Sequence, residues 1–127
     1  MQTMTMEQRQ TLAAAGLRAY PNIARAWGLK EQEAARLLGV SGPTYRRWKR
    51  DPNRVQADVN LLERLSLILG IYKALHILLP RPESAHGWVR RPNTNPRFGR
   101  HSPLERMLGG HVADLVAVRE HLDAARG

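Results

Sequence analysis

Apolar residues recur along this chain at spacings of three and four, the period of an α-helix. Nowhere do they alternate with polar residues for long enough to make a strand. The period is clearest from Val55 to Leu79, where Leu61, Leu62, Leu65, Ile68, Leu69, Tyr72, Leu75 and Leu79 form one stripe. Leu67, Ile71, Ala74 and Leu78 make much of the opposite face apolar as well. A helix that is apolar nearly all round is covered on both sides. In a chain of 127 residues the second cover is either a C-terminal lobe or a second subunit. Turn formers at Tyr20-Pro21, Gly39 to Pro43, Asp51-Pro52, Pro80 to Pro82, Pro92 to Pro96 and Gly109-Gly110 divide the sequence into roughly seven helical pieces. The polar, Met-rich residues before Thr11 are expected to fray.

One pair of predicted helices carries a motif. The stretch Glu31-Gln32-Glu33-Ala34-Ala35-Arg36-Leu37-Leu38-Gly39-Val40-Ser41-Gly42-Pro43-Thr44-Tyr45-Arg46-Arg47-Trp48-Lys49-Arg50 reads as a helix-turn-helix. Ala35 supplies the small residue where two helices cross closely, and Gly39 the tight turn four positions later. Leu38, Val40, Tyr45 and Trp48 are the apolar anchors. Ser41 is placed to cap the second helix, with Pro43 in its first turn. At about 100° per residue, Tyr45 and Trp48 point inward while Pro43, Arg46, Arg47 and Arg50 point outward, flanked by Thr44 and Lys49. A basic outer face on the second helix suits entry into the DNA major groove. Arg46 and Arg47 are the candidates for base contacts. Lys49, Arg50 and Arg54 are the candidates for the phosphate backbone, with Ser41, Pro43 and Thr44 at the same surface. A basic amphipathic helix packed on an ordinary bundle is the plainer alternative.

Charge sharpens this picture. The formal net charge is +9, a surplus that attracts polyanions. From Arg18 to Arg54 there are nine basic and three acidic residues, a net of +6. From Arg81 to Arg106 there are six basic and two acidic, a net of +4. Two basic regions divided by an apolar helix point to two jobs or one extended surface. With no cysteine there is no disulfide framework and no thiolate metal site. The five histidines lack metal spacing, and neither paired carboxylates, a Ser-His-Asp order nor a phosphate-cradling glycine loop stands out, so enzyme function is not expected. The most apolar stretch, Leu65 to Leu79, is too short for a bilayer and contains Lys73 and His76. No signal peptide is recognisable, and a soluble cytoplasmic protein is expected.

Towards the C-terminus, Ser102-Pro103-Leu104-Glu105 has the order of a capping box, with proline at the first helical position. Gly109-Gly110 ends that short helix, and a last helix is predicted from about His111 to Ala125 with Val112, Leu115, Val116 and Leu122 on one face. Together with Trp88, Asn93 in a proline-containing loop, Phe98-Gly99 and the final Gly127, this order resembles the Xre/MbcA/ParS antitoxin family. Those proteins join an N-terminal helix-turn-helix to a C-terminal toxin-binding domain. The chain departs from the family pattern at the charged Arg100-His101 and in the short link at Gly109-Gly110.

What the resemblance implies is an all-α protein with no cofactor. Its parts would be a helix-turn-helix lobe over residues 1–54, a central core or dimerisation helix over 55–80 and a toxin-binding lobe over 81–127. The partner implied is a RES-domain toxin that consumes NAD or transfers ADP-ribose from it, neutralised by covering its NAD pocket. Operator DNA would be bound for autorepression by a homodimer or a larger complex with the toxin, away from any membrane. Trp88, Asn93, Phe98, Arg100, Arg119, His121 and Arg126 are the expected toxin-binding residues. Trp88 and Phe98 are equally explained as core aromatics, Asn93 as a turn former, and Arg119 as a stem packed on an apolar stripe with its head in water. A stand-alone transcription regulator with a C-terminal dimerisation or ligand-sensing lobe is the alternative. So is a toxin-binding protein whose helix-turn-helix no longer binds DNA.

Overall fold

A computed structural model of the chain describes residues 4–127. It is all-α, with seven helices and no strand among the described residues. They are α1 (Met6–Ala26), α2 (Glu31–Leu37), α3 (Gly42–Arg50), α4 (Val59–Leu78), α5 (Pro82–Gly87), α6 (Pro103–Met107) and α7 (Val112–Arg126). Short 3-10 turns cover Pro52–Arg54, Trp88–Arg90 and Pro96–Phe98.

The first helix starts earlier than its composition suggests. Thr5 accepts from the Gln8 amide while the Gln8 side chain accepts from the Thr5 amide, a full capping box that holds α1 from Met6 onward. Pro21 does not break α1 either. A proline inside a helix costs about 3 kcal/mol locally, but Leu17, Tyr20, Ile23 and Ala24 around it are all buried, and that burial holds the helix through. Residues 1–3, within the segment expected to fray, lie outside the described residues.

The central helix is α4, started by Asp58, whose carboxylate accepts from the Leu61 amide. It begins after Val55, which is buried but lies in the extended link after the 3-10 turn. One side of α4 packs on α1 and another on α7, so the two covers of the apolar helix are both supplied by this chain. Leu61, Leu65, Ile68, Ile71, Ala74 and Leu75 are buried there. From α7 come Leu115, Val118 and Leu122, while Val112 and Val116 are only half-buried. An apolar groove of about 510 Å³ remains on the α1–α4 seam, lined by Leu12, Ala15, Ala19, Leu62 and Leu69 among others.

Three arginines hold the lobes against one another, each by donating to carbonyls at a helix C-terminus. Such carbonyls lack intrahelical partners and carry the negative end of the helix dipole. Arg64 of α4, only 6% exposed, donates to Leu37 O at the end of α2 (3.3 Å) and to Gly110 O (2.9 Å). Asn60 accepts from its Nε at 2.7 Å. Arg36 of α2 donates to Leu108 O and Gly109 O beyond α6. Arg90 donates to Trp27 O (2.7 Å) and Gly28 O at the end of α1.

Candidate DNA-binding and partner-binding surfaces

Local chemistry builds α2 and α3 as the sequence predicts. The Lys30 amide donates to Glu33 at the start of α2. Ala35 is buried at the crossing, and Gly39 takes φ 72° in the turn. That position needs glycine twice over. Its backbone is left-handed, and a Cβ there would meet the Arg64 guanidinium at 2.9 Å. Ser41 caps α3 by accepting from the Thr44 amide, and Pro43 sits in the first turn. Tyr45 and Trp48 are buried. The Tyr45 ring meets the Tyr20 ring edge-on at 5.7 Å, and the Tyr20 hydroxyl donates to Ala34 O at 2.8 Å. Burial, then the neighbouring Tyr45, push the Tyr20 phenol well above its usual range, so it stays a donor.

Around α3 the exposed side chains divide between an outer edge and two shoulders. Pro43, Arg47 and Arg50 are exposed along the outer edge. On one shoulder, Thr44, Arg47 and Arg54 line a polar cleft with Trp48 and Gln56. Thr44 Oγ1 accepts from Ser41 Oγ (2.9 Å) and from Arg47 (3.3 Å), while Arg54 pairs with Asp51 at 3.4 Å. On the other shoulder, facing α2, Arg46 and Lys49 converge on Glu31. Arg46 reaches Oε1 through Nε (2.9 Å) and Nη2 (2.8 Å), and Lys49 Nζ reaches Oε2 at 3.2 Å. Hydrogen bonds from Arg46 first and Lys49 second hold the Glu31 carboxyl below its usual range. Arg46 was expected on the outer face beside Arg47, and Glu31 was not singled out from the sequence at all. Its signal was a carboxylate at the first residue of α2, opposite a helix rich in cations.

In the C-terminal lobe, three of the expected partner-binding residues come together. Trp88 stacks on His121 with centroids 5.9 Å apart, and Phe98 meets both rings edge-on at 6.2 and 5.2 Å. Phe98 is buried, whereas Trp88 and His121 are half-buried. Burial, then the charge of Arg97, lower the His121 pKa from its ordinary value. Asn93 braces the adjoining loop. Its amide donates to His101 O at 3.0 Å and its side chain accepts from the Asn95 amide at 2.9 Å. At the tip of this loop Gly99 and Arg100 are both left-handed (φ 54° and 71°), and Arg100 is exposed.

Arg119 lies elsewhere. Two residues from His121 on a helix is about 200°, the far side of α7. Its guanidinium lies over Gly70 of α4, where an added Cβ would overlap it, and it pairs with Asp123 at 3.1 Å. Arg126 is exposed in the last turn of α7. Arg64 and Gly70 were missed by sequence reading, although a charge between Leu61 and Leu65 and a glycine inside an apolar helix were both visible signals.

Among the described residues no helix is long and apolar enough to cross a membrane, and no group of three or more metal-ligating side chains converges. Residues 6–70 match the family model of the antitoxin Xre-like helix-turn-helix domain. Residues 74–127 match that of the antitoxin Xre/MbcA/ParS C-terminal toxin-binding domain. An uncharacterized protein of Sinorhizobium fredii, y4oB, is 44% identical over 114 residues, which span 89% of this chain and 85% of the relative. With a helix-turn-helix domain and a toxin-binding domain in sequence over nearly its whole length, the chain belongs to the Xre/MbcA/ParS family of antitoxins.

Proposed function

We propose that this antitoxin neutralises a RES-domain toxin that consumes NAD or transfers ADP-ribose from it, by covering the toxin's NAD pocket with its C-terminal lobe. It also represses its own operon by seating α3 in the major groove of operator DNA. It does so in the cytoplasm, as a homodimer or within a larger complex with the toxin, and catalyses no reaction itself. The C-terminal lobe is the part after α4, and it offers the toxin two faces: the Trp88–Phe98–His121 cluster with the Asn93 loop and Arg100 at its tip on one, and the α7 cations Arg119 and Arg126 on the other.

The observation that carries the DNA half is the outer edge of α3. Pro43, Arg47 and Arg50 face solvent while Tyr45 and Trp48 anchor the helix beneath them. An arginine at the centre of such an edge matches the bidentate acceptor pair of guanine, and Arg54, Lys49 and Ser41 lie where phosphates would pass. For the toxin half, the support is the family of the C-terminal domain together with an exposed, basic loop beside half-buried aromatics, the pairing common at the centre of protein interfaces.

Co-expression with the protein encoded beside it, purification by a tag on that partner, and an NAD-consumption assay test the toxin half. Co-purification with loss of NAD consumption is the expected result. Retardation of the operon's upstream DNA, weakening steeply with salt, tests the other half. DNA retardation without capture of a toxin would leave a stand-alone regulator. Capture without retardation at any salt would leave a toxin-binding protein with a silent helix-turn-helix.

A further inference from the structure

We infer that Glu31 is a built-in competitor for DNA phosphate, limiting the affinity of the recognition helix by occupying Arg46 and Lys49. The inference rests on the DNA-binding reading above and assigns these two cations to the backbone rather than to base edges.

The geometry is that of an anion already in place. One carboxylate oxygen is held side-on by Nε and Nη2 of Arg46, at 2.9 and 2.8 Å, and the other by Lys49 Nζ at 3.2 Å. A phosphate presents oxygens to the same donors in the same way. The position fits as well. When the second helix of a helix-turn-helix lies in the major groove, the first crosses the sugar-phosphate backbone. Glu31 is the first residue of α2, and Arg46 and Lys49 occupy the shoulder of α3 turned towards it. Backbone phosphates therefore pass the point where two cations and one carboxylate leave a local charge of only +1.

All three side chains keep access to solvent, at 57% for Arg46, 41% for Lys49 and 33% for Glu31. Exchange of the carboxylate for phosphate thus requires no unfolding. An exposed ion pair of this kind adds little to stability, which leaves tuning of anion affinity as its main physical effect. Glu33, two residues on, is a natural control. It caps α2 by accepting from the Lys30 amide and lies 3.9 Å from Arg90, away from α3.

The test compares the full-length parent with Glu31→Gln and Glu33→Gln on the operator and on a scrambled duplex, across a series of salt concentrations. Glu31→Gln is expected to bind both duplexes about tenfold more tightly at low salt. Its log–log salt slope should be steeper by about one to two, since each added phosphate contact contributes about 0.9. Glu33→Gln should change either far less, and adding Arg46→Ala to Glu31→Gln should remove most of the gain. Melting temperatures near the parent's would show that the variants are folded. Equal, small effects of Glu31→Gln and Glu33→Gln would reduce Glu31 to general charge and overturn the inference. So would a Glu31→Gln variant that loses discrimination between the duplexes, because Arg46 would then be a base reader that Glu31 orients. A parent that binds neither duplex overturns the DNA-binding reading itself, and the inference with it.

Discussion

Arg100 joins an unfavourable backbone to an exposed charge. A non-glycine residue in the left-handed region costs about 1–2 kcal/mol, and Arg100 holds that conformation with its side chain exposed. Strain kept at an exposed loop tip points to work done elsewhere, and the work proposed is contact with the toxin. Arg100→Gly and Arg100→Ala separate the two effects. Both remove the guanidinium, so both are expected to weaken toxin capture by a similar factor in a titration. Only glycine relieves the backbone, so Arg100→Gly should be the more stable of the two by about 1 kcal/mol in denaturant unfolding. Equal stabilities would mean that the loop relaxes without glycine. The sequence could announce an arginine where the family is less charged, but not its backbone angle. That is imposed by the Asn93–His101 closure, a contact across eight positions that no local propensity encodes.

Helices were legible where one rule dominated. The Ser41 and Ser102 caps, the Gly39 turn and the inward Tyr45 and Trp48 followed from capping chemistry and the 3.6-residue period, and all are present. The start of α1 was misread because Thr5 and Gln8 act as a pair, and Pro21 because tertiary burial overrides a local breaker. The arginine ties between helices were not legible at all, since each joins residues that are 27 to 73 apart. Arg64 is the most consequential of them. It is buried, has no carboxylate partner among the described residues, and is satisfied by carbonyls and Asn60. Replacing it with methionine keeps the bulk of the stem but strands Leu37 O and Gly110 O. Hydrogen bonds from a charged group contribute about 1.5–3 kcal/mol, so Arg64→Met should lower stability on the order of 3 kcal/mol by chemical denaturation. A variant that unfolds with the parent would assign those carbonyls to water.

At the scale of the whole molecule, the sequence suggested three consecutive parts about a central core or dimerisation helix, and α4 packs on α1 with one side and on α7 with another. Deleting residues 111–127 therefore uncovers the α4 face that Leu115, Val118 and Leu122 bury. Such a truncation is expected to lose cooperative melting of the whole chain, helix-turn-helix included, and circular dichroism would show it. On another side of α7, the packing of His121 against Trp88 and Phe98 makes stability depend on pH. Its folded pKa is lowered by burial and by Arg97, so on acidification the unfolded chain takes the proton first. Stability is then complete above the ordinary histidine range and declines as pH falls from roughly 7 to 5. His121→Gln should flatten that decline in melts recorded across the range. The three tryptophans make such changes separable by light. Trp27 lies at the end of α1, Trp48 beneath the recognition helix and Trp88 against His121. A protonated imidazole quenches a stacked indole, so with Trp27 and Trp48 replaced by phenylalanine the remaining emission would dim as His121 gains its proton. The same fluorophore would report a toxin arriving on that lobe, which makes the antitoxin its own optical sensor.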